Sequence, residues 1–185
     1  MIEALIRRAA LLVGAAGLIL LVQGLWIPAK AQVAQVLLDR AFTRSVASGE
    51  PQKAWPWADT VPVARIEAER LGVSEVVLSG GSGEAMAFGP TELTGLPHGI
   101  RVLAGHRDTH FRFIRELKRG DPLVVHGVDG SVTRYRVVGF ATVRWDSFAY
   151  PVAPPRPMLA LATCYPFDAL RHGPLRRVAW AERVG

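Results

Sequence analysis

Apolar positions along the chain fall first into a solid block, then into a helical spacing, then into short runs cut by glycine and proline. Residues 9 to 27 are apolar apart from Gln23 and follow Arg7 and Arg8, which predicts a helix long enough to span a bilayer. Trp26 suits an interfacial aromatic at the far end, and Pro28 is expected to stop the helix. Residues 31 to 47 place Val33, Val36, Leu37 and Ala41 at helical spacing, which predicts a stalk helix broken by Ser48-Gly49-Glu50-Pro51.

From Val61 the pattern is that of a mainly-β domain. The candidate strands are Val61–Ile66, Val73–Leu78, Glu84–Phe88, Ile100–Gly105, Pro122–His126, Ser131–Val143, Met158–Thr163 and Leu175–Arg183. Asp129-Gly130 signals a hairpin turn between the fifth and sixth, and Phe111, Ile114 and Leu117 allow one short helix between the fourth and fifth. So many strands require a closed barrel or a sandwich, because either manages exposed sheet edges.

At 185 residues the chain has room for one ordinary domain and an accessory segment. The net charge of +6 is scattered rather than gathered into a stripe, so no nucleic-acid partner is expected. A positive surface equally suits anionic lipid or cell-wall polymer. Ala29-Lys30-Ala31 matches a small-x-small cleavage pattern, but the apolar block exceeds the core of a cleavable signal, which favours an uncleaved anchor. Lys30, Arg40 and Arg44 follow the span and two arginines precede it, so charge counting leaves orientation open. The very short basic N-terminal tail favours a C-terminal domain outside the cytoplasm.

A single cysteine excludes an intramolecular disulfide and any zinc site built on two or more cysteines. Cys164 follows the apolar run of residues 158 to 163 and precedes Tyr165-Pro166-Phe167, so it closes a strand where a rigid scaffold can present a reactive group. A thiol needs a base or a nearby cation to become an effective nucleophile at neutral pH. His106 is the candidate base, delivered to a loop by the strand ending at Gly105. His110 lies four residues on, and Asp108 is placed either to orient the imidazole or to cap the following helix. The two histidines have metal-ligand spacing but lack the glutamate of HExxH and a third ligand, so neither a metal nor another cofactor is expected. Arg176, sharing a strand face with Val178 and Trp180, is the candidate cation for the substrate carbonyl, with Arg171, Arg177 and Arg183 in competition.

Leu161-Ala162-Thr163-Cys164, Ala104-Gly105-His106 with Phe111, Leu117, Gly120 and Asp121, and Arg176-Arg177-Val178 together resemble the sortase family of cysteine transpeptidases. The resemblance runs over roughly residues 59 to 185 and holds three motifs in order, although the first threonine of the family's Thr-x-Thr-Cys motif is Leu161 here. Trp55-Pro56-Trp57-Ala58-Asp59, residues 164 to 170 and Gly173-Pro174-Leu175-Arg176 look like the subgroup of Gram-negative bacteria.

The resemblance implies an eight-stranded β-barrel as a catalytic domain at 59–185, after an anchor at 1–30 and a stalk and linker at 31–58. It implies that Cys164 attacks an LPxTG-like sorting signal to give a thioacyl enzyme, which an amine acceptor resolves at the cell surface. His106 would serve as acid and base, Arg176 would hold the substrate or its oxyanion, and Leu161 and Thr163 would contact the substrate. Placement in the inner membrane with a periplasmic catalytic domain follows from the same resemblance. Calcium activation, known in some relatives, is not expected, because the loop from Trp145 to Arg156 carries Asp146 as its one acidic residue.

L,D-transpeptidases would show Ser-His-Gly-Cys, which Ala162-Thr163-Cys164 does not match. NlpC/P60-type peptidases place a histidine well downstream of the cysteine, where only His172 stands. The reading from a different class is an inert membrane-anchored barrel that binds wall polymer or a partner protein, with Cys164 buried.

Overall fold

A computed structural model describes residues 2–96, 98–151, 154–169, 171 and 173–185. The chain forms two compact units, Met1–Val36 and Leu37–Gly185. Helix α1 covers Ile2–Ser48, and in the first unit its side chains Leu11, Leu18, Leu21 and Leu25 are exposed. One helix among the described residues is thus long and apolar enough to cross a membrane. Pro28 lies inside α1 instead of ending it. A proline forfeits one backbone bond, and the Leu- and Ala-rich helix formers on both sides outweigh that local loss.

In the second unit, α1 from Leu37 onward is a packed element and not a free stalk. Leu38, Ala41 and Phe42 are buried with Ala54 against Val76 and Leu78. Asp39 Oδ1 lies 2.6 Å from Arg65 Nη2. The helix ends because Gly49 adopts φ 73° and donates to the Ser45 carbonyl, while the buried Ser45 hydroxyl accepts from the Gln52 amide at 2.8 Å.

The rest of this unit is a closed eight-stranded barrel. Its strands are β1 Pro62–Ala68, β2 Val73–Ser79, β3 Thr91–Leu93, β4 Ile100–Ala104, β5 Pro122–Gly127, β6 Val132–Arg144, β7 Met158–Tyr165 and β8 Leu175–Arg183. They close in the order β1-β2-β3-β4-β7-β8-β6-β5, with β2–β3 and β4–β7 parallel. Alternation sets the core: Leu103, Leu123, Leu159 and Leu161 point inward and are fully buried. Each such leucine stabilises the barrel by about 1.5–3 kcal/mol.

One expected strand is absent. Glu84–Phe88 falls on helix α2, Gly83–Met86, whose N-cap Ser82 accepts from the Ala85 amide, and the third strand lies beyond it in β3. The cap and Pro90 decide this, since a serine oxygen satisfies a helix-start donor and the proline restricts Gly89 to extended backbone. The expected short helix is a 3-10 turn, Arg112–Glu116, and the hairpin forms with Gly130 at φ 78°.

Asp121, just after that turn, is nearly buried and accepts from Arg70 Nε and Nη2, both at 2.7 Å, and from the Lys118 amide. The Arg70 hydrogen bonds hold its carboxyl below the usual carboxylate range, against an opposing effect of burial. A carboxyl with a depressed folded pKa contributes stability that is present above its unfolded pKa and is lost as pH falls through its folded value. Asp121→Asn is therefore expected to lower the thermal midpoint by about 4 °C at pH 7. The gap from wild type should shrink as acid protonates Asp121, and a gap constant down to pH 2 would refute this role.

Candidate active site

Strands β4, β7 and β8 lie side by side with β7 in the middle, and their ends carry the candidate residues. Ala104 pairs with Ala162 across the parallel ladder, and the Gly105 amide extends it to the Ala162 carbonyl at 3.1 Å. Continuing this register brings His106 beside Cys164, whose partner on the other side is Arg176. Since Leu159, Leu161 and Thr163 are buried, alternation turns Ala160, Ala162 and Cys164 to the outer face. Val178 and Trp180 share that outer face with Arg176, as expected.

His106, Cys164 and Arg176 line one cavity of about 410 Å³. Cys164 and His106 are both partly exposed residues. Arg176 Nη1 donates to the Gly173 and Leu175 carbonyls, each at 2.9 Å, which fixes the guanidinium and leaves Nε and Nη2 without an acceptor among the described residues. Arg177 is turned elsewhere, over the Phe140 ring and toward Thr142. An oriented cation beside a thiol can stabilise negative charge developing on a substrate carbonyl oxygen.

The turn bearing His106 is held from beneath. Thr163 Oγ1 donates to the Gly105 carbonyl at 2.7 Å, and the Phe111 amide donates to the His106 carbonyl at 3.0 Å. A Cβ on Gly105 would stand 2.9 Å from the Phe111 ring, so only glycine lets that buried ring close under the turn.

Thr163 borders the cavity but is 2% exposed, so its hydroxyl braces Gly105. Leu161 is fully buried in the barrel core and is absent from the cavity wall, which removes it as a substrate contact: the same alternation that exposes Cys164 turns Leu161 inward. Asp108 neither caps the 3-10 turn nor bonds the imidazole; it lies 3.4 Å from Arg107 Nε. His110 Nδ1 is 2.8 Å from Glu75 on β2, away from the cavity. His172 lies outside the described residues.

The aromatic wall of the cavity was not legible in the sequence. Phe148 stacks on Trp180 at 5.8 Å and meets Tyr150 edge-on at 4.8 Å, so the chain after β6 folds over the outer face of β8. Met86 and Leu93 complete a largely apolar lining. Asp146 pairs with Arg144 at 2.9 Å, and that hydrogen bond holds its carboxyl below the usual range.

The sequence model of the Sortase domain family matches residues 66–184. The chain belongs to the sortase family. It is 36% identical over 88 residues to sortase D of Bacillus subtilis, covering 47% of this chain and 44% of that protein. Among solved structures it is similar to sortase A from Corynebacterium diphtheriae, with a TM-score of 0.61 and 20% identity over 70% of this chain and 63% of that one. Sortase C-1 from Actinomyces oris gives a TM-score of 0.57 and 28% identity over 67% of this chain and 75% of that one. The alignments thus span under half of the Bacillus sortase and under two thirds of the Corynebacterium chain. Relatives named A, C and D do not single out the Gram-negative subgroup.

Proposed function

We propose that this sortase is a membrane-anchored cysteine transpeptidase. Its substrate is a C-terminal LPxTG-like sorting signal and its second substrate an amine at the cell surface. The observation that carries this reading is the convergence of His106, Cys164 and Arg176 from three adjacent strands on one cavity. A partly exposed Cys164 that lines a cavity speaks against an inert barrel with a buried cysteine.

The Cys164 thiolate attacks the scissile carbonyl carbon, and the oxyanion takes N–H donors from Arg176. His106 protonates the leaving amine as the C–N bond breaks, which leaves a thioester. An incoming amine attacks that thioester, His106 takes its proton, and the thiolate departs with a new amide formed. Residues 1–30 anchor the protein in the inner membrane, residues 31–58 connect that anchor to the barrel with the helix from Leu37 onward packed on β2, and residues 59–185 form the periplasmic catalytic domain. The motifs around Trp55-Pro56-Trp57 support the Gram-negative subgroup.

The full chain in detergent, incubated with LPxTG-type peptides and candidate amines, is expected to release the C-terminal fragment and form an amine-joined product by mass spectrometry. Release with water alone as acceptor would make it a hydrolase, and intact peptides throughout would refute the reading. Arg176→Lys is expected to lower kcat/KM by about 10–100-fold, because an ammonium keeps the charge and loses the planar fork. Unchanged kinetics would remove Arg176 from the reaction.

A further inference from the structure

Arg107 follows the candidate base and has no place in the mechanism above, yet its side chain is only 5% exposed. A buried guanidinium must have its donors satisfied, and here the acceptors are carbonyls of one loop. Nη1 donates to the Pro166 carbonyl at 2.8 Å, and Nη2 donates to those of Ala169 and, at 3.3 Å, Arg171. The remaining contact is Asp108 at 3.4 Å from Nε. That loop leaves β7 one residue after Cys164 and enters β8 one residue before Arg176. One fork therefore joins the His106 turn to the segment linking the other two candidate residues.

We propose that Arg107 is a positioning residue that fixes the loop between Cys164 and Arg176 relative to His106, and so sets the geometry of acyl transfer. This rests on the transpeptidase reading. Cys164 itself lies within β7, paired with Arg176 of β8, and the residues before it are tied to the β4 side through the Gly105 amide and Thr163 Oγ1, so loss of the clamp frees the loop without freeing the thiol. Displacement of a reacting group by about 1 Å can lower a rate about 100-fold, and that sensitivity gives the clamp its effect. A lysine cannot replace it, since one ammonium cannot span carbonyls at three positions with planar geometry.

The test compares full-length wild type, Arg107→Ala and Arg107→Lys in detergent. In both variants, amide exchange at residues 167–169 is expected to rise about 10-fold while exchange in the barrel strands stays unchanged. Alkylation of Cys164 by iodoacetamide should stay within about twofold of wild type, while kcat for a sorting peptide falls about 30-fold with KM nearly constant. Added methylguanidinium should restore part of the kcat of Arg107→Ala. Should alanine yield no folded protein, lysine is read by the same measures. Unchanged loop exchange would overturn the clamp even if the wild type turned over no peptide, a result that by itself refutes only the transpeptidase reading. Freed loop exchange with full kcat would overturn the positioning role, as would a kcat that falls only in step with thermal stability and is not rescued.

Discussion

Cys164→Ala is expected to leave a folded protein with turnover lowered at least about 1,000-fold. The fold should tolerate the change, because the preceding outward positions of β7, Ala160 and Ala162, already carry a methyl group and the backbone is held by β4 and β8. The chemistry should not tolerate it, since this is the chain's single thiol and a methyl group cannot form a thioester. A thiol-selective alkylator should inactivate the wild type by reaching Cys164 through the cavity and leave nothing further to inactivate in the variant. Wild-type activity in Cys164→Ala would sink the whole proposal, whereas lost activity with an altered melting midpoint would point to the fold instead.

The residues that were legible beforehand are those whose surroundings are written into local periodicity. Strand β8 is expected and found at the same residues, Leu175–Arg183, because Gly173-Pro174 marks its start and no breaker interrupts the run. Cys164, His106 and Arg176 stand at strand ends, and a parallel and an antiparallel register bring them to one face. Short elements were illegible: β3 has three residues and no alternation to read, so the helix-capping serine before it had to be seen first. Long-range contacts were hidden as well. Leu38 and Phe42 fit an amphipathic helix, but no local pattern names β2 as their partner. Arg107 resembles any solvated arginine until the loop some sixty positions later folds over it. Leu161 shows the reverse error, since likeness to a motif placed it at the substrate while strand alternation places it in the core.

The two histidines four residues apart separate chemistry from packing. His106→Ala is expected to lower kcat by about 100–10,000-fold, the usual contribution of a positioned acid and base. Its ring lines the cavity with the thiol, and its backbone stays fixed by Thr163 through Gly105 and by Phe111, so the fold should survive its loss. His110→Ala removes a ring that packs beside Glu75 on β2 and reaches no cavity atom, so it should cost stability and keep most of the kcat. Added imidazole should restore part of the activity of His106→Ala, because a free base can enter the space the ring leaves, and should do nothing for His110→Ala. The decisive comparison is kcat against melting midpoint for the pair. A His110 variant that loses turnover while keeping its midpoint, beside a His106 variant that keeps both, would transfer the proton-handling role to His110 and require the β2 side of the 3-10 turn to reach the thiol.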